Sequence, residues 1–208
     1  MRRGVAAMAS IGTARKAGAV RGRLIDAAYD LFAEHGVNQV GIDTILAQSG
    51  CAKASLYNNF NSKVELAVAF LDRREAVWTR GWLEHEVHRL ARTPKGRLLA
   101  IFDVFHAWFQ RRDFEGCSFI NVMLESDAGS PVRQAAAIHL GRIRAILREL
   151  AEGARLADSE RFAQTWHMLM KGCIVSACEG NRNAARQAKR AARYVLEAWP
   201  QRRVRPTR

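Results

Sequence analysis

Lys53, Ala54, Ser55, Tyr57, Asn58, Asn59 and Lys63 fall within eleven positions and combine side chains suited to base edges with side chains suited to phosphates. On a helix over 53–60, the ~100° turn per residue puts Leu56 and Phe60 on one side, facing a core, with Ala52 nearby. The opposite side carries Ala54, Ser55 and Asn58, flanked by Tyr57, with Asn59 toward the inner edge and Lys53 in the first turn. An asparagine amide can bond adenine through two hydrogen bonds, a serine hydroxyl can address several bases, and an alanine methyl can touch thymine. Tyr57, Lys53 and Lys63 suit phosphate oxygens, where they would fix register rather than sequence. A helix starting at Lys63 would add unpaired backbone amides that also accept a phosphate. Just upstream, the short helical run Ile42–Ser49 stops at Gly50, which makes a helix-turn-helix pattern. The same pattern occurs in ordinary helical bundles, so the outer face and the charge around it have to carry the distinction.

That charge is strongly positive: +13 over 208 residues, with a pI near 10.6, favours a polyanionic partner. Arg2, Arg3, Arg15, Lys16, Arg21 and Arg23 all precede the first acid, Asp26, and Arg202, Arg203, Arg205 and Arg208 follow the last one, Glu197. A basic arm beside a DNA reader can enter a groove or hold phosphates, and the same composition also describes a solvated tail. No run approaches the ~20 apolar residues of a membrane span, so a soluble globular protein is expected. The short stretch Gly4–Gly12 is broken by glycine and serine and followed by Arg15 and Lys16, which argues against a secretory signal. Cys51, Cys117, Cys173 and Cys178 form no metal-ligand spacing, and reduced thiols in the cytoplasm are the expectation. No cofactor signature is present.

The elements that must position these residues are all helical. Arg21–His35 places Leu24, Ala28, Leu31, Phe32 and His35 on one stripe and ends before Gly36. Ile42–Ser49 and Lys53–Phe60 follow, and then a long helix from Lys63 to about Ala91, with Ser62 as cap and Glu65 completing a capping box. Thr93 and Pro94 break the chain. Further helices are expected over Lys95–Gln110, Ser118–Ser126, Pro131–Gly153 (capped by Ser130, with Pro131 in the first turn), Ser159–Glu179 and Ala184–Trp199. With no alternating strand pattern, the fold class is all-α, of about nine helices.

Residues 23–71 resemble the DNA-binding domain of the TetR (tetracycline-repressor-like) transcriptional regulators. The resemblance is carried by Ile25, Asp26, Ala27 and Ala28, by the run from Leu31 to Gly36, by Ile45, Ala47 and Gly50, by the run from Lys53 to Phe60, and by Ser62 and Lys63. Family members usually carry a serine or threonine where this chain has Gly41 and Ala52. Gly41 still caps tolerably, but Ala52 removes a side-chain cap and a phosphate hydrogen bond, so anchoring should lean on Lys53, Lys63 and the basic arm. The placement of charge marks a basic, flexible arm over 1–20 and a basic tail over 200–208, and the resemblance implies the helix-turn-helix domain over 21–66 and a helical ligand-binding and dimerisation domain over 67–199. It implies a homodimer formed through the last two long helices and a repressor that a small, largely apolar effector releases from a pseudo-palindromic double-stranded DNA operator. The stretch Gly116–Glu125 with Pro131, Val132 and Arg133 resembles a segment found in one large subset of the family.

Read from residues alone, the apolar stripes converge on one region. Trp78 and Trp82 share a helix face; Phe102, Phe105, His106 and Phe109 line the next helix; Phe119, Met123, His139, Trp166 and Met170, with Ile143 and Cys173, can complete an apolar cavity. His106, Asn121, His139 and His167 are its candidate polar groups. The same side chains can equally fill a core. For a dimer, Phe162, Trp166, Leu169, Cys173, Ile174 and Ala177 offer a face on one helix, and Ala191, Tyr194, Val195 and Ala198 offer one on the last. A rival reading makes Cys51, in the turn before the reading helix, a redox-sensing thiol; a small half-buried turn residue is the alternative. No protease, hydrolase, P-loop or dinucleotide motif supports an enzyme.

Overall fold

A computed structural model describes residues 3–202, with side chains from Gly18 onward. Of the basic arm and tail, Arg2, Arg203, Arg205 and Arg208 lie outside the described residues, as do the side chains of Arg3, Arg15 and Lys16. The described residues form α1 (Arg3–His35), α2 (Ile42–Ser49), α3 (Lys53–Tyr57), α4 (Lys63–Arg74), a π-helical segment (Glu75–Glu84), α5 (His85–Leu90), α6 (Pro94–Phe109), α7 (Ser118–Glu125), α8 (Pro131–Gly153), α9 (Ser159–Cys178) and α10 (Ala184–Ala198). Counting the three consecutive segments over 63–90 as one gives nine helices. No strand occurs among the described residues beyond one antiparallel bridge between Leu156 and Gln201.

The caps follow the sequence closely. The Ser62 hydroxyl accepts from the Glu65 amide at 3.2 Å, while the Glu65 carboxylate turns to Asn61, whose backbone amide (2.8 Å) and side-chain amide (2.9 Å) donate to it. The capping box is therefore closed one residue early. Thr93 accepts from the Gly96 amide at 3.1 Å with Pro94 in the first turn of α6, and Ser130 accepts from the Arg133 amide at 3.3 Å. Gly41 and Ala52 make no side-chain cap bond. Gly50 ends α2 at a φ of 62°, a left-handed conformation that favours glycine, and this turn aims α3. Two expected bounds move by more than one residue. The first helix begins before Arg21, since no proline interrupts that stretch, and α3 ends at Tyr57, because the chain turns through Asn58 and Asn59 to reach the buried Phe60.

The chain forms two compact units: Met1–Arg74 with Asn121–Ala136, and Glu75–Ile120 with Ala137–Arg208. In the first, α1 packs against α2, α3 and α4 around Leu24, Ala28, Phe32, Ile45, Leu56, Phe60, Leu66 and Phe70. The Phe70 ring meets Tyr29 and Phe32 edge-on at 5.7 and 5.5 Å, an arrangement that aromatic quadrupoles favour. Arg74, buried at the end of α4, donates to the Tyr29 hydroxyl at 2.9 Å. In the same unit the Asn38 side-chain amide donates to the Glu125 carbonyl at 3.0 Å, which ties the end of α7 to the loop before α2.

The second unit is built on α6, α9 and α10, with α10 packed against both of the others. Lys189 on α10 grips Asp103 on α6 at 2.6 Å. Phe162, Trp166, Cys173, Ile174 and Ala177, expected to face a second subunit, are instead buried inside this unit. Phe162 stacks on Trp166 at 5.0 Å and meets Trp199 edge-on at 5.1 Å, so α9 turns its most apolar stripe toward its own neighbours. Its outer face carries Met168 and Val175 instead, and Tyr194 stands out from α10.

Candidate nucleic-acid interface and ligand cavity

The reading segment is held from below. Leu56 and Phe60 are 0% and 1% exposed, and burying side chains of that size stabilises by about 1.5–3 kcal/mol each. Lys53, Ala54, Tyr57 and Asn58 are exposed above them, while Ser55 and Asn59 are half-buried. Five residues of helix and the turn that follows thus present the candidate face. Asn58 lies at the end of α3, its backbone amide donating to the Ala54 carbonyl at 3.0 Å, and its side chain stands exposed. Asn59 differs: its side-chain amide donates to the Ser55 carbonyl at 2.8 Å and braces the turn. Lys63 is half-buried with its ammonium 3.5 Å from the Asn38 carbonyl, and burial lowers its pKa from the ordinary lysine value. Arg21 lays its guanidinium over the Phe60 ring at 4.8 Å, adding a positive group beside the turn.

Cys51 is 8% exposed, and its thiol donates to the Ser49 carbonyl at 3.6 Å. A thiol covered and engaged in this way fits a turn residue, and redox sensing through Cys51 is not favoured.

The second unit contains a cavity of about 310 Å³. Its walls are largely aliphatic, from Leu83, Val87, Ile101, Ile143, Ile146, Leu147, Leu150 and Met170, with Thr79, Glu84, His88, Arg97 and Glu149 as polar groups. Of the side chains that the sequence nominated for a ligand, the aliphatic Ile143 and Met170 are in this lining, and none of the aromatic or polar ones is. The aromatics instead engage one another. Trp78 lies 5.3 Å from Trp82, 6.2 Å from Phe105 and 4.8 Å from Trp108. Phe102 packs on Trp166 at 5.6 Å, Phe105 lies 5.8 Å from Phe109, and Phe119 stacks on the buried His139 at 5.1 Å. Half-buried His106 sits next to Gln110, and Asn121, exposed, and Met123, half-buried, belong to the other unit. A void of about 10 Å³, room for little more than one water, is lined by Trp78, Phe105, His167 and Met170 among others.

Sequence reasoning missed the aliphatic wall. One signal was available: Thr79, Leu83 and Val87 recur at intervals of four, with Glu84 and His88 one step behind.

His167 is 3% exposed, and its Nδ1 has no hydrogen-bond partner among the described residues. Burial first, then the positive charges of Lys171 and Arg144, lowers its pKa from 6.5 to about 3. The unfolded chain binds this proton more readily, so the contribution to stability is full above pH 6.5 and is lost as pH falls toward 3. Thermal unfolding followed between those values should show a decline that His167→Leu flattens.

Comparison with known proteins covers both parts of the chain. Residues 24–70 match the family model described as bacterial regulatory proteins, tetR family, and residues 94–192 match the tetracyclin repressor-like C-terminal domain. The HTH-type transcriptional activator FasR of Mycolicibacterium smegmatis is 42% identical over 53 residues, which span 26% of this chain and 24% of FasR. SCO4454, a TetR-family transcriptional regulator from Streptomyces coelicolor, superposes with a TM-score of 0.73 at 25% identity, over 86% of this chain and 94% of that one. A TetR-family regulator from Cytophaga hutchinsonii reaches a TM-score of 0.76 at 18% identity, over 90% of this chain and 98% of that one, a likeness of fold alone. With the reading head and most of the C-terminal part matched in this way, the chain belongs to the TetR family of bacterial transcriptional regulators.

Proposed function

We propose that this chain is a homodimeric repressor that leaves a pseudo-palindromic operator when a small, largely apolar effector enters the cavity of its second unit. The observation that carries the reading is the pairing of two features in one chain. An exposed Lys53, Ala54, Tyr57 and Asn58 face is fixed over buried Leu56 and Phe60, and a separate helical unit holds a cavity of about 310 Å³, of the size ligand pockets have. In this reading Ala54, Ser55 and Asn58 address bases, Lys53, Tyr57 and Lys63 hold the backbone, and Asn59 keeps the turn in shape. A two-fold dimer through α9 and α10 would set two such heads ~34–36 Å apart on successive major-groove faces.

Effector binding acts by population shift: it favours whichever geometry of the dimer makes better contact with it, and release follows if that geometry mismatches the groove spacing. The chain passes between the units at 74–75, 120–121 and 136–137, so both the α4 junction and α7 can carry the change. A dimer seated on its operator excludes other proteins from it, which supports repression as the sign. A reporter driven from the operator separates this from activation, the sign that FasR carries in its name.

A gel shift against DNA flanking the protein's own gene tests the reading. A site bound no more tightly than bulk DNA would remove the operator at that locus. In the same assay Asn58→Ala should relax base preference by about 1–3 kcal/mol, whereas Tyr57→Phe and Lys63→Ala should weaken specific and random DNA alike. Equal loss on both DNAs for Asn58→Ala would assign Asn58 to the backbone instead.

A further inference from the structure

We propose that the cavity's occupant is an amphipathic organic cation, an amine on an aliphatic body, received by the Glu84 and Glu149 carboxylates. This rests on the effector-responsive reading above and names the chemical class of the effector. The body follows from the wall, where Leu83, Ile101, Ile143, Leu147 and Met170 offer aliphatic surface to a ligand. The charge follows from the polar lining: two carboxylates against one guanidinium, Arg97, and the imidazole of His88.

Two cations of this region are already engaged. Arg80 donates through Nε to Glu75 at 2.7 Å, and Arg97 donates through Nε to the Ala91 carbonyl at 3.2 Å. Burial raises the pKa of Glu84; Glu75 and Glu149 push the same way, while His88 and Arg80 oppose. A carboxylate withdrawn from water beside other carboxylates is relieved by an incoming positive charge. Thr79 supplies an independent observation. It lines the same cavity at 1% exposure, and its hydroxyl has no hydrogen-bond partner among the described residues. An ammonium has three donors and no acceptor, so carboxylates and a spare hydroxyl oxygen suit it, while a ligand acid would add a third negative group.

Isothermal titration of the full chain with octylamine, octanol and octanoate tests this, since the three share one aliphatic body and differ in charge. Octylamine should bind at least about tenfold more tightly than the other two. The double variant Glu84→Gln with Glu149→Gln should bring the amine down to the level of octanol, and unchanged octanol binding would show that the cavity still folds. Octanol or octanoate binding as tightly as the amine, the preference surviving in the double variant, or binding by none of the three would overturn the assignment. A gel shift run alongside separates the two readings: DNA released by octanol or octanoate but not by octylamine would keep effector response and remove the cation.

Discussion

Phe60→Ala is expected to abolish DNA binding at every sequence, by unseating the reading segment rather than by removing a contact. Phe60 is 1% exposed at the end of the turn that follows α3, beneath the Arg21 guanidinium, and its backbone amide donates to the Leu56 carbonyl at 2.8 Å. Truncating a fully buried phenylalanine costs about 3–5 kcal/mol, a large share of what holds a small domain folded. The rest of the segment is lightly held: α3 has only five residues, its N-cap Ala52 makes no side-chain cap bond, and one Asn59–Ser55 hydrogen bond braces the turn. Circular dichroism melting should show a strongly lowered transition, and gel shifts should show the same loss on operator and random DNA. Asn58→Ala provides the contrast, since an exposed side chain is removed and the melt should be unchanged. A Phe60→Ala protein that melts normally and still selects the operator would refute this account of the head.

The second large effect concerns assembly. Met168 and Val175 are 61% and 46% exposed on the outer face of α9, and Tyr194 is 72% exposed on α10. Apolar side chains in such positions are the natural material for a four-helix interface between two copies. Met168→Glu with Val175→Glu should give a folded monomer, because exposed substitutions usually change stability by no more than about 0.5 kcal/mol. Operator affinity should then fall by about 10²–10⁴-fold, as two tethered heads become one. Sedimentation measures the first result and a gel shift the second. A double variant that remains a dimer would move the interface elsewhere.

How much of this was legible depended on whether a feature leaves a local mark. Ser62, and Ser130 with Pro131, announce helix starts through hydrogen bonds within one turn and act where they were expected to, while Thr93 and Pro94, expected to break the chain, also cap and open α6. Gly50 fixes a left-handed turn that few other residues accept. Leu56 and Phe60 lie four apart and could only point inward. Other features depend on what lies across the unit. A stripe such as Phe102, Phe105 and Phe109 reads the same whether it lines a hole or fills one, and here the rings find other rings. The apolar face of α9 could not reveal whether its partner was a second subunit or α10, and packing within the unit claimed Phe162, Trp166 and Ile174. The end of α3 at Tyr57 rather than Phe60 reflects the same limit, since the turn is set by where Phe60 must be buried.

The π-helical segment Glu75–Glu84 left no mark in the sequence at all, yet it holds Thr79, Leu83 and Glu84 of the cavity wall. In that register each amide bonds five residues back, the backbone is wound more loosely, and successive side chains turn through a smaller angle. Helices of this kind are seldom longer than a single turn, because tighter winding competes closely with them. Rewinding to the α register would advance Thr79, Leu83 and Glu84 around the axis relative to Glu75, whose carboxylate is gripped by Arg80 at 2.7 Å. The wall that would meet an occupant is thus wound in a register that has a close-lying alternative. A passage between the two registers would be a discrete change of phase rather than a gradual bend, a step that a bound small molecule would select.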